Sequence, residues 1–236
     1  MSHAPQSSRD EQARLAHADQ AGNAASIAQE RPLVLIVDDD EAVRTALVEL
    51  MESVGLEAVG FGSARDWTEA ELPDRPGCLV LDVRMPGSSG LDLQHHLAAI
   101  GNEKPIVFLT GHGDIPMTVQ AMKAGAVDFL TKPFRDQSLL DAVTAGIERD
   151  RAQRIDARLV RQQTDHYAEL TARERQVLRL VAMGRLNKQI AFDLGITEVT
   201  VKLHRSSVMK KMQVASIGEL IRAWEMLPAE LRERTT

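Results

Sequence analysis

Five short apolar runs lie between residues 33 and 131, and a stretch with helical spacing follows each one. The first, LVLIV (33–37), reads as a strand buried on both faces. Val43, Leu47, Leu50, Met51 and Val54 then mark one face of a helix that Gly55 stops. EAVGF (57–61) is the second strand, and a helix over 63–72 starts from Ser63 as its N-cap. CLVLD (78–82) and PIVFLT (105–110) are the third and fourth strands, with a helix between them that Gly101 ends. A helix over IPMTVQAMKAGA leads to the fifth strand, VDFLT (127–131), and DQSLLDAVTAGIERD opens a last helix. Strands and helices that alternate in this way form parallel βαβ units. The expected fold is α/β: a doubly wound five-stranded parallel sheet with helices on both faces. Function in such a sheet lies beyond the carboxyl ends of the strands.

That rim collects a distinctive set of groups. Asp38 and Asp39 end the first strand, Asp82 the third and Thr110 the fourth, and Lys132-Pro133 follow the fifth. Asp38, Asp39 and Asp40 are consecutive, and neighbouring carboxylates repel. Asp40 is accounted for as the N-cap of the helix it precedes. A shared hard cation accounts for the others, and Mg²⁺ suits one or two carboxylates together with waters and phosphate oxygens. His95 and His96 are adjacent on a helix and cannot face each other, so they are not a metal pair. His112, in the loop after Thr110, reads as a solvated loop histidine.

The formal charge of −6 conceals two opposed halves. Residues 33–150 hold 20 acids against 9 Lys and Arg, a net of −11, whereas 167–228 hold 10 Lys and Arg against 6 acids, a net of +4. Two modules with different partners follow, the second suited to a polyanion. Cys78 is the single cysteine, so no intrachain disulfide can form, and a cytoplasmic location is natural. No 18-residue apolar segment predicts a membrane span. Residues 1–31 are polar, lack the apolar core of a secretory signal and read as a disordered N-terminal tail.

The ordered fragments VDDD, LDVRMPGSSGLDL, FLTGHGD and AMKAGAVDFLTKPF resemble the CheY-like receiver domain of two-component response regulators. The resemblance covers the expected domain 32–150. It implies that Asp82 is the phosphoacceptor and that Asp38, Asp39, Asp82 and the backbone carbonyl of Arg84 hold Mg²⁺. It further implies that Thr110 bonds the phosphoryl group, that Lys132 pairs with it and that Pro133 follows a cis peptide. Thr110 and Phe129 are then the switch, repacking when phosphate arrives. Aspartyl-phosphate enzymes of the haloacid dehalogenase type also place an Asp at a strand end. They need a second Asp two residues later, where this chain has Arg84.

Residues 151–166 interleave acids and bases with few apolar positions and read as a helical linker; a flexible tether is the alternative. Beyond it, 167–228 is expected to be a small all-α domain of four helices, with 229–236 a C-terminal tail. Thr171 and Glu174 form a capping box. Short helices on either side of Gly195 make a helix-turn-helix. The frame LTARE, NKQIA, LGI and TVKLH resembles the LuxR-type DNA-binding domain of the NarL/FixJ family, with Glu198-Val199 a small departure. By that resemblance Lys202, Leu203 and Ser206 face the major groove, and Lys188, Thr200, His204 and Arg205 are candidates for backbone contacts. Lys210 and Lys211 suit the helix end, whose dipole favours cations. Leu220, Ile221 and Trp224 on the fourth helix are the expected dimer surface on DNA.

The whole chain is most similar to FixJ-like regulators. The resemblance implies a response regulator, phosphorylated by a sensor histidine kinase, that dimerises, binds double-stranded DNA and works with RNA polymerase, activating transcription. Catalysis would be limited to self-phosphotransfer and autodephosphorylation. A receiver kept only as a scaffold for constitutive DNA binding would lack an acid, the Thr or the Lys, and none is missing here.

Overall fold

The computed structural model describes residues 30–85, 88–111 and 115–233. His112, nearly all of the expected N-terminal tail and the last three residues lie outside that set. The described residues divide into two compact units, one over 30–154 and one from Ile155 onward.

The first unit is built on five parallel strands: β1 (Leu33–Val37), β2 (Glu57–Phe61), β3 (Gly77–Asp82), β6 (Ile106–Thr110) and β7 (Asp128–Thr131), in spatial order β2-β1-β3-β6-β7. This is the expected doubly wound sheet. Alternating side chains feed two cores. Leu33, Leu35, Val37, Leu79, Leu81 and Phe108 pack with Trp67, Leu93 and Leu97 from α2 (Ala64–Glu69) and α3 (Gly90–Ala99). Val34, Ile36, Val80, Val107 and Leu109 face the other way. They meet Leu47 and Met51 of α1 (Glu41–Ser53) and Leu139, Val143 and Ile147 of α5 (Asp136–Ala168). The α4 helix (Ile115–Lys123) precedes β7. Strands sandwiched between helix layers must be apolar throughout, which is why β1 and β3 read as continuous runs.

Two local differences from the sequence reading have clear causes. The helix expected over 63–72 ends at Glu69, because Ala70 turns to extended backbone (ψ 132°) ahead of Pro73. A two-residue antiparallel ladder, β4 (Arg84–Met85) with β5 (Ser88–Ser89), follows β3 and is too short to leave a periodic signal.

In the second unit the final turns of α5 enter a core with α6 (Ala172–Ala182), α7 (Asn187–Leu194), α8 (Glu198–Lys211) and α9 (Ile217–Met226). Tyr167 is buried and its ring lies 6.2 Å from that of Trp224. The Thr171/Glu174 capping box is formed, and Gly195 takes the left-handed conformation (φ 62°) between α7 and α8. Residues 229–233, expected as tail, form a short helix α10 (Ala229–Glu233). Leu231 packs against the core, and its carbonyl accepts from the Tyr167 hydroxyl at 3.4 Å.

Lys211 does not solvate a helix end. It donates to Glu174 Oε2 at 2.8 Å, and the Ser207 hydroxyl donates to the other oxygen of the same carboxylate. Burial of Glu174 pushes its pKa up. The bonds from Lys211, Ser207 and Thr171 outweigh that and hold it down at about 2. A depressed carboxyl pKa stabilises fully above the ordinary value of 4.5 and is lost as pH falls toward 2. Glu174→Gln is expected to cost roughly 1–3 kcal/mol near neutrality and to flatten the acid limb of the stability profile, measured by urea unfolding across pH.

The α5 helix approaches β3 closely at Gly146, where a Cβ would stand 2.6 Å from Cys78 Sγ. Burial pushes the Cys78 thiol up to about 12, so the side chain acts as core. Gly146→Ala is expected to destabilise the first unit by roughly 1–3 kcal/mol, and adding Cys78→Ala to recover part of that loss, read from unfolding midpoints.

Candidate functional site

The carboxyl ends of β1, β3 and β6 bring Asp38, Asp82 and Thr110 to one rim. All three are buried, although each is polar. One carboxylate oxygen from each of Asp38, Asp39 and Asp82 lies within 4.8 Å of the others. Charges this close need compensation, and Lys132 supplies it. Its ammonium donates to Asp38 Oδ2 at 2.6 Å and to Asp82 Oδ2 at 3.1 Å. The Lys132-Pro133 peptide is cis, and the Lys132 amide donates to the Thr110 carbonyl at 2.7 Å.

Burial raises the Asp38 pKa above 3.8 despite the bond from Lys132. Burial also opposes the charge on Lys132, but its bonds to Asp38 and Asp82 win and its pKa is raised. Both shifts have one origin: a half-buried cation holds two acids that the fold has withdrawn from water. Asp40 stands apart, its carboxylate accepting from the Ala42 and Val43 amides as an N-cap. His95 and His96 are exposed, away from the rim.

Other rim contacts are backbone-directed. The Arg84 amide donates to Asp82 Oδ1 at 3.2 Å, and the Arg84 side chain is exposed. Phe129 is half-buried, its ring tilted against Phe108 at 6.1 Å. Arg44, which the sequence reading passed over, sends Nη1 to the Asp38 carbonyl at 2.7 Å. Its place in α1, six residues beyond Asp38, gave a weak signal, because an Arg on a helix ordinarily reads as surface.

In the second unit, α8 presents Lys202, Leu203 and Ser206 to solvent and buries Val201 and Val208. Lys188 is exposed on α7. Thr200 and His204 are half-buried, and the Thr200 hydroxyl lies 2.9 Å from that of Thr197. Arg205 is partly committed within the unit, since its guanidinium donates to Asn187. The expected dimer set needs one correction. Leu220 is 1% exposed and belongs to the core, because its position on α9 faces α6, so it cannot form a surface. Ile221 and Trp224 remain half-buried.

The geometry defines a class: an α/β domain with an acidic, lysine-bridged rim, joined to a helix-turn-helix unit. Residues 34–144 match the response regulator receiver domain family, and residues 168–224 match the bacterial regulatory proteins of the luxR family. The chain is 54% identical to Nodulation protein W of Bradyrhizobium diazoefficiens over 200 residues, 85% of this chain and 88% of that protein. It is 46% identical to the transcriptional regulatory protein FixJ of Azorhizobium caulinodans, covering 80% of this chain and 90% of the other. Among solved structures, the response regulator StyR superposes with a TM-score of 0.72 at 49% identity, over 83% of this chain and 98% of StyR. The chain belongs to the NarL/FixJ family of response regulators and is FixJ-like within it. It is a phosphorylation-dependent transcription regulator: the receiver implies a sensor kinase partner, and the LuxR-type domain implies DNA binding. Among the described residues no helix is long and apolar enough to cross a membrane.

Removing Lys132 would leave Asp38 buried beside Asp82 without compensation. A carboxyl whose folded pKa is raised lowers stability fully above that pKa, and the loss fades as pH falls from there toward the unfolded value. Lys132→Ala is therefore expected to cost about 2 kcal/mol near neutrality and distinctly less below about pH 5, measured by urea unfolding at the two conditions.

Proposed function

We propose that Asp82 accepts a phosphoryl group from a phosphohistidine of a sensor histidine kinase. The observation that carries this reading is the single ammonium of Lys132 shared by Asp38 and Asp82. An Asp82 oxygen attacks phosphorus, the P–N bond of the phosphohistidine breaks, and the imidazole leaves with the bonding pair. Lys132 meets the negative charge on the transferred group, and the protein otherwise mainly positions the reactants. Three gathered carboxylates are the chemistry a hard oxygen-seeking cation requires, and they fit Mg²⁺, with the Arg84 carbonyl read as a further ligand. When bound, Mg²⁺ would neutralise charge on the phosphoryl oxygens. Autodephosphorylation returns the site to its starting state.

The acyl phosphate adds charge and acceptor oxygens beside Thr110. Thr110 turns toward them, Phe129 follows inward, and the surface over 115–135 changes. We read that surface as the one that promotes dimerisation. The domains are a receiver over 32–150, a linker over 151–166 and a DNA-binding domain from 167, which α10 extends beyond 228. Lys202, Leu203 and Ser206 read base edges; Lys188, Thr200, His204 and, once released from Asn187, Arg205 contact phosphates. A dimer on two half-sites, with Ile221 and Trp224 at its contact, then engages RNA polymerase and activates transcription in the cytoplasm.

The test measures mass and DNA affinity together at one fixed salt concentration, with and without acetyl phosphate and Mg²⁺. Phosphorylated protein should become a dimer and bind DNA more tightly, and Asp82→Asn should take up no label and do neither. Labelling that persists in Asp82→Asn overturns the site. Unchanged mass and affinity despite labelled Asp82 overturns the dimer-switch reading.

A further inference from the structure

Asp38 is held at each of its polar groups. Its amide donates to the Phe61 carbonyl at 3.2 Å, Oδ1 accepts from the Asp40 amide at 3.0 Å, and Oδ2 accepts from Lys132. Its carbonyl accepts from Arg44 Nη1 at 2.7 Å. This last bond fixes the peptide plane between Asp38 and Asp39. Asp39 is exposed, so no packing holds its side chain, and the orientation of that plane sets where its Cα–Cβ bond starts.

Arg44 reaches the carbonyl along a lane that β2 leaves open. A Cβ at Gly60 would stand 2.8 Å from Arg44 Cγ and 3.1 Å from Cδ, and one at Gly62 would stand 3.6 Å from Nη1. Real Cβ atoms do not approach as closely as the first of these, so a side chain at 60 would displace the Arg44 stem and draw its guanidinium off the carbonyl. A glycine inside a strand costs stability, and a close approach by another group is a recognised reason for one.

We infer that Arg44 is a positioning residue for the divalent cation site. Its guanidinium sets the Asp38–Asp39 peptide so that the Asp39 carboxylate stands with those of Asp38 and Asp82, and Gly60 is there to admit it. The inference rests on the reading of those three carboxylates as a Mg²⁺ site. Groups that orient metal ligands without touching the metal ordinarily matter at the level of affinity.

The experiment is Mg²⁺ titration of the unphosphorylated full chain by calorimetry, with thermal unfolding in the absence of Mg²⁺ as control. Arg44→Ala should weaken Mg²⁺ binding roughly 10–100-fold with a small change in unfolding midpoint, and Arg44→Lys should restore part of the affinity. Gly60→Ala should weaken binding in the wild-type background and add little to Arg44→Ala, because both act through one side chain. Mg²⁺ bound as tightly by Arg44→Ala as by wild type overturns the inference and leaves the site reading standing. A Gly60→Ala penalty of equal size in both backgrounds also overturns it. Wild type that binds no Mg²⁺ overturns the site reading and the inference together.

Discussion

An ammonium shared by two carboxylates makes the acidic rim possible. Asp38 and Asp82 end neighbouring strands, and the sheet buries both. Without Lys132 the pair would carry desolvation and mutual repulsion at once. Lys132 comes from the far edge of the sheet, and it reaches them because the chain after β7 is bound to Thr110 of the intervening strand. The sheet order therefore brings together two acids and a cation distant in sequence.

The same order explains why the acids gather at this rim. The chain runs outward from β1 in one direction to β2 and then returns past it to β3, and a crevice opens where the order reverses. Asp38 and Asp82 lie on either side of that crevice. Backbone amides and the ammonium of Lys132 already meet their carboxylates there.

The second unit uses a buried acid differently. Glu174 lies buried in the first turn of α6. It caps its own helix and ties it to the far end of α8 through Lys211 and Ser207. The helix that exposes Lys202 and Ser206 is thereby anchored at the end remote from its first turns. A basic residue that composition would assign to solvent or DNA is used up in this anchor, and Arg205 is partly used in the same way. The positive charge of this half is thus less available than its count suggests.

Apolar periodicity was enough to read the sheet, because a strand covered on both faces has no choice but to be apolar, and βαβ units have one favoured hand. Strand ends followed from the same pattern, so Asp38, Asp82, Thr110 and Lys132 were legible as a set; so was Asp40, whose capping role depends only on its neighbours. What stayed hidden depends on contacts between distant elements. Leu220 looked like part of an exposed stripe until packing placed it in the core, and residues 229–233 looked polar until Leu231 met Tyr167. Lys211 and Arg44 are charged helical residues whose partners lie 37 and 6 positions away, and no local pattern distinguishes them from solvated ones. The sequence by itself determined the fold class and which residues reach the rim, since these follow from local spacing. Tertiary structure alone decided which charges are spent on one another, because that depends on distances only the folded chain creates.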